Sequence, residues 1–204
     1  MRKRTILAGA FTLLAAAVAC ANKLPASALT PRLQYQGFSA ARPPNNNWFV
    51  NRSEQDHTTL LFRREVSGEA HSFFFSVQVS ALERAPTSDD DFAELVRRHM
   101  VAVTDPRRHE VLSYEANPVS RQGQFCLRYS LRTIDRNSPV LPGLELHMNF
   151  EGIACRHPLW PNAVLDAYYS ERGPSDELDP SLRHEGEQLL QGVTIEVQPG
   201  VPAA

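Results

Sequence analysis

Lysine is almost missing from this chain of 204 residues. It stands only at Lys3 and Lys23, so nearly all positive charge is arginine, a skew that a biased genome explains without invoking function. Beyond residue 19 no apolar run approaches the ~20 residues that a membrane-crossing helix needs, and no stretch repeats internally. The motifs that carry chemistry are absent too: there is no G-x-S-x-G elbow, no H-E-x-x-H, no glycine-rich phosphate loop and no C-x-x-C. These absences exclude motif-borne hydrolases, zinc peptidases, nucleotide binders and dithiol oxidoreductases. His184-Glu185 lacks a second histidine four residues on and reads as a solvated pair on a helix. His147 and His157 could share a rim, but no carboxylate or third ligand stands at a fixed spacing, so no metal and no cofactor is expected. Asp166 and Glu171 make no persuasive acid/base pair, because nothing in the sequence buries either or sets their separation. The expectation is a protein that is not an enzyme.

What is present begins at the N-terminus. Arg2, Lys3 and Arg4 lead into an apolar run, Thr5 to Ala19, that ends in small residues and stops at Cys20. A charged start, a short greasy stretch and a slim end make a secretory signal peptide, here residues 1–19. Ala17-Val18-Ala19-Cys20 resembles the lipobox of bacterial lipoproteins, with Ala17 where Leu is usual. The resemblance implies that Cys20 becomes an acylated N-terminus, carrying a diacylglyceryl group and an N-acyl chain such as palmitate. More than one chain is what stable anchoring requires. Ala21 follows the anchor in place of an acidic residue, which by the same resemblance implies the outer membrane, facing the periplasm. Ala17-Val18-Ala19 is also an ordinary A-x-A cleavage site, which would yield a plain secreted protein; both readings cut after Ala19. With Cys20 lipidated, Cys126 and Cys155 remain as an even pair in an oxidising compartment. Cleavage removes three positive charges and leaves 18 basic against 23 acidic residues, a net of −5. Mild acidity at an extracytoplasmic address argues against nucleic acid.

Residues 20–31 read as the lipidated Cys and a tether, 32–197 as one domain and 198–204 as a flexible tail. Within the domain, Leu33 to Phe38 is an expected strand, and Arg42 to Trp48 a loop rich in Pro and Asn. Thr58 to Arg64 and Ser72 to Leu82 form an expected hairpin, the second strand alternating Phe73, Phe75, Val77 and Val79 with polar residues. Ser88 caps a helix, Asp91 completes an S-x-x-D box, and Phe92, Leu95, Val96, Met100 and Val103 share one side. Phe125 to Ile134 and Leu144 to Cys155 alternate again. Placing Cys126 opposite Cys155 in an antiparallel pair sets Leu131 against Phe150, Thr133 against Met148 and Ser130 against Glu151. Core meets core and polar meets polar, so the hydrophobic register and a disulfide point to one pairing. Val164 to Ser170 is a further strand. Asp179-Pro180 opens a second helix whose inner stripe is Leu182, Gly186, Leu189 and Leu190, stopped by Gly192; Val193, Ile195 and Val197 follow as a last strand.

The expected fold class is α+β: a largely antiparallel sheet packed by two amphipathic helices, in the manner of an α/β/α sandwich. This order of elements, over most of residues 32–197, resembles the PsbP-like and DcrB-like envelope proteins, and that resemblance implies a binding or assembly role. The surface expected to meet a partner is the loop Arg156-His157-Pro158-Leu159-Trp160-Pro161, a cation and two large apolar groups held by the disulfide. Arg97, Arg98, Arg107 and Arg108, from two Arg-Arg-His runs, could add a basic patch. The functional expectation is a membrane-anchored lipoprotein that binds an envelope protein or component. The alternative is a small envelope hydrolase or ligand carrier, which converging histidines or carboxylates in a deep pocket would favour.

Overall fold

Period-two alternation runs through most of the chain, and the computed structural model shows what it builds. The structure describes residues 24–50, 58–68, 70–102, 104, 106–138, 141–177 and 179–196. The leader, Cys20, Val103, Val197 and the tail, all named above, lie outside the described residues. The strands are β1 Leu24–Pro25, β2 Arg32–Tyr35, β3 Phe38–Ala41, β4 Trp48–Val50, β5 Thr59–Arg64, β6 Ser72–Ala81, β7 His109–Arg121, β8 Gln124–Asp135, β9 Leu146–Arg156, β10 Ala163–Gly173 and β11 Val193–Ile195. The helices are α1 Asp89–Ala102 and α2 Pro180–Gln191.

Eight strands form one antiparallel sheet in the order β1-β4-β5-β6-β10-β9-β8-β7, and β11-β3-β2 form a second, smaller sheet. On one face of the large sheet Phe73, Phe75, Leu165 and Tyr169 meet Leu182, Leu189 and Leu190 of α2 together with Phe38 and Ile195 of the small sheet. On the other face Leu127, Tyr129, Ala154 and Val164 meet Phe92, Leu95, Val96 and Met100 of α1. Each fully buried large apolar side chain contributes about 1.5–3 kcal/mol. The β8–β9 register is the one the cysteines demanded: Cys126 faces Cys155, Leu131 faces Phe150 and Ser130 faces Glu151. The two sulfurs are bonded across a separation of 29 residues.

The α/β/α sandwich expected from the sequence is overturned: the protein is mostly antiparallel β-structure. An eight-stranded sheet is about 40 Å wide at 4.7–4.9 Å per strand, whereas a helix covers about 10 Å. Two helices cannot close two such faces, and the small sheet takes part of the work. Three strand assignments explain the misreading. Residues 33–38, read as one strand, straddle a hairpin of β2 and β3 that turns at Gly37, where φ is +85°. The Pro/Asn loop runs straight into β4, whose Trp48 is fully buried and donates from Nε1 to Glu185 of α2 at 3.0 Å. Glu185, which also accepts from Arg64, is therefore a docking residue and not one of a solvated pair. The thirteen residues of β7 lie at the sheet edge with an irregularity at Val111/Ser113 and a proline, Pro118. Neither of its faces alternates, and proline is tolerated there because an edge strand leaves half its donors unpaired.

Local signals at the helix starts hold. The Asp91 N–H donates to Ser88 Oγ at 3.1 Å, although the Asp91 carboxylate turns to the Thr87 N–H and to Arg84 instead of back to Ser88. Asp179 accepts from the N–H groups of Ser181 and Leu182 at the start of α2. Replacing both Cys126 and Cys155 with alanine is expected to lower the unfolding free energy by about 3–4 kcal/mol, through loss of loop closure in the unfolded chain. Urea titration at unchanged native circular dichroism measures it, and an unmoved midpoint would count against the bridge as a stabilising element.

Candidate functional site

The loop at residues 156–161 is braced. The Arg156 guanidinium donates to the Ser88 carbonyl at 2.5 Å and to Asp89 Oδ1 at 3.0 Å, and lies 5.3 Å from the centre of the Phe92 ring. His157 is buried, its Nδ1 accepts from the N–H groups of Leu159 and Trp160, and its ring stacks on Trp160 at 4.4 Å. Burial pushes the His157 imidazole below its usual range, which suits its role as a neutral acceptor. A Cβ at position 37 would come within 1.9 Å of His157 Nε2, so Gly37 admits the ring under the β2–β3 turn. Leu159 and Trp160 are each 38% exposed at the tip.

Arg97 and Arg98 pair with Glu94 on α1, and Arg98 also with Glu83, which precedes the helix. Arg108 makes a two-pronged bond at 2.9 and 2.6 Å to Asp135, whose carboxylate is fully buried and held below the usual range mainly by that guanidinium. The Arg107 carbonyl accepts from Asn137. His147 and His157 lie at opposite ends of β9, roughly 30 Å apart at 3.4 Å per residue, so they share no rim. No group of three or more metal-binding side chains gathers among the described residues.

A cavity of about 320 Å³ opens beside the C-terminal part of α1, on the face that this helix covers incompletely. The strand period delivers its floor: Gln78 and Ser80, Tyr129, Leu131 and Thr133, Met148 and Phe150, and Asp166 with Tyr168 all project from one side of the sheet. His99 and Met100 of α1, Thr104 and the β7 residue His109 form the rest. Asp166 is 1% exposed; its Oδ1 accepts from the Tyr129 hydroxyl at 2.8 Å and its Oδ2 from Gln78 Nε2 at 3.3 Å. Burial raises its carboxyl to about 7, against the opposing pull of those two donors. Burial likewise lowers His99. The Thr133 hydroxyl and both ring nitrogens of His109 are buried without a hydrogen-bond partner among the described residues.

The sequence reading that nothing buries Asp166 or Glu171 is thus corrected. Glu171 is also buried, but it lies on the opposite face of β10, bonded to His71 Nε2 at 2.6 Å and to the Asp179 N–H at 2.9 Å, where it holds the start of α2. The cavity itself was missed because its parts come from six elements. The one available signal was a polar residue, Asp166, inside the otherwise apolar run Ala163 to Ala167.

No family model matches the chain, and no curated protein does. Among solved structures it is similar to the solution structure of cyanobacterial PsbP (CyanoP) from Synechocystis sp. PCC 6803, at 15% identity over 82% of this chain and 95% of that one, with a TM-score of 0.46. That neighbour bears the PsbP name that the order of elements suggested, at a level that carries no argument about the fold or function of this chain.

Asp166 should be visible in the pH dependence of stability. Its carboxyl binds its proton more tightly folded (about 7) than unfolded (about 3.9), so this group destabilises the fold progressively as pH rises through that window and by a constant amount above it. Asp166→Asn is expected to remove this fall, gaining on the parent by a few kcal/mol between the two ends of the window. Urea unfolding across the range tests it; parallel curves for both proteins would refute the assignment.

Proposed function

We propose that this chain is a lipid-anchored envelope protein that binds a small molecule in the cavity between α1 and the large sheet, working by binding and not by catalysis. The observation that carries the reading is Thr133, 1% exposed, a cavity-lining residue whose hydroxyl has no hydrogen-bond partner among the described residues. A buried polar group left unpaired costs about 1–3 kcal/mol, and a ligand that reaches it recovers that cost. Both ring nitrogens of His109, on the same cavity, likewise lack a hydrogen-bond partner among the described residues. The volume falls in the range of small-molecule sites, and a mostly apolar wall with a few converging polar groups is their usual chemistry. Of the two functions weighed from the sequence, a ligand carrier has this support.

The anchor and address rest on the leader and on Ala17-Val18-Ala19-Cys20. In this reading Cys20 carries the acyl chains and the domain faces the periplasm from the outer membrane. A second reading, docking of an envelope protein on the tip of the 156–161 loop, is favoured by the exposure of Leu159 and Trp160 on a loop braced by His157.

Two measurements test the proposal. The intact mass of the chain recovered from membranes is expected to show acyl chains on Cys20, and Cys20→Ala to leave the membrane fraction; a bare cysteine at the mature N-terminus would end the anchor reading. The neutral fluorescent probe N-phenyl-1-naphthylamine is expected to brighten on binding the parent and not the cavity-filling variant Leu131→Trp. Failure to bind, or equal binding by that variant, would sink the cavity reading.

A further inference from the structure

Two aspartates are buried on the same face of the large sheet, and they are treated differently. Asp135 is met by two cations, the two-pronged Arg108 and Arg172 at 3.6 Å. Asp166 is met by none among the described residues: its partners are the neutral donors Tyr129 and Gln78, one on each oxygen. A carboxylate offers about four lone-pair positions, so each oxygen keeps the capacity to accept from another donor. We infer that the cavity takes a small organic cation, an alkylammonium compound, with Asp166 as counter-charge and Tyr129, Phe150 and Tyr168 as aromatic walls. This inference rests on the cavity reading above and names the ligand's charge.

Three considerations support it. An isolated buried carboxylate is costly, and a cation that enters with it converts an unpaired charge into a paired one. Phe150 and Tyr168 stand with ring centres 5.9 Å apart at 58°, both on the cavity surface with Tyr129. Aromatic faces attract ammonium groups in desolvated sites, which is how quaternary ammonium ligands are recognised elsewhere. An anion would meet Asp166, and of the two imidazoles that line the cavity, His99 is held toward its neutral form by burial. Met100 and Met148 add adaptable apolar wall for the alkyl substituents.

The test uses the full chain at about pH 8, where Asp166 is mostly ionised. Choline and its uncharged isostere 3,3-dimethylbutan-1-ol are each titrated against bound N-phenyl-1-naphthylamine, and by calorimetry. Choline is expected to bind at least about tenfold more tightly than the isostere, and Asp166→Asn to erase that preference. Phe150→Leu, which keeps an apolar wall but removes a ring, is expected to weaken choline several-fold more than the isostere, and serves should Asp166→Asn fail to fold. Equal affinity of the parent for choline and isostere would overturn the cation inference while the probe's own binding leaves the cavity standing. A probe that does not bind at all would overturn both.

Discussion

Strand β10 is buried on both faces, and it is not apolar on either. It lies fifth in the eight-stranded sheet, between β6 and β9, with α1 over one face and α2 over the other. A strand in that position can keep a polar side chain only if neighbouring elements bring partners to it. Glu171 is answered by His71 and by the first N–H of the α2 approach, and the Tyr169 hydroxyl by Glu151 and Glu187 at 2.7 Å each. Asp166 is answered, among the described residues, only by neutral groups and faces a cavity. The placement of α2, the polar seam beside it and the candidate ligand site all follow from which face each of these residues occupies.

The seam explains why α2 docks where it does. Gly186 sits so close to Tyr169 that an added Cβ would fall 2.4 Å from its ring, which brings the helix axis down onto β10. Glu187 then reaches Tyr169 and Arg128, Arg183 reaches Glu151, and Glu185 reaches Trp48 and Arg64. At the far end the Arg121 guanidinium donates to the carbonyls of Leu190 and Val193, meeting the negative end of the helix with a cation. On the opposite face α1 is held by an apolar stripe and, at its N-terminal end, by Arg156, and the cavity opens beside His99 and Met100. The cavity and the incomplete coverage are the same feature seen from two sides.

Legibility in the sequence followed the strength of local alternation. The β8–β9 pairing was readable to the residue, because two cysteines and two apolar faces had to agree and a slip of one residue would have inverted both. The α1 stripe and the Asp179-Pro180 start of α2 were readable because capping and helical spacing are short-range. β7 was not, since an exposed edge strand with mixed faces and Pro118 carries no period. The β2–β3 hairpin was lost for a related reason, its turn being marked only by Gln36-Gly37 within a run of small and aromatic residues. Trp48 sat next to three asparagines and so read as loop, although it is one of the largest fully buried side chains.

By itself the sequence determined the leader pattern, the register that sets Cys126 opposite Cys155, the faces of the long strands and the two helix starts. Each of these depends on residues near one another in the chain, or on a register in which cysteines and apolar faces agree. Tertiary structure alone decided that Asp135 has arginines and Asp166 has none among the described residues, that His157 lies beneath Gly37, and that α1 leaves part of its face uncovered. Those outcomes depend on which strands become neighbours across the sheet, and an alternating pattern tells a residue's side of the sheet but not who stands beside it.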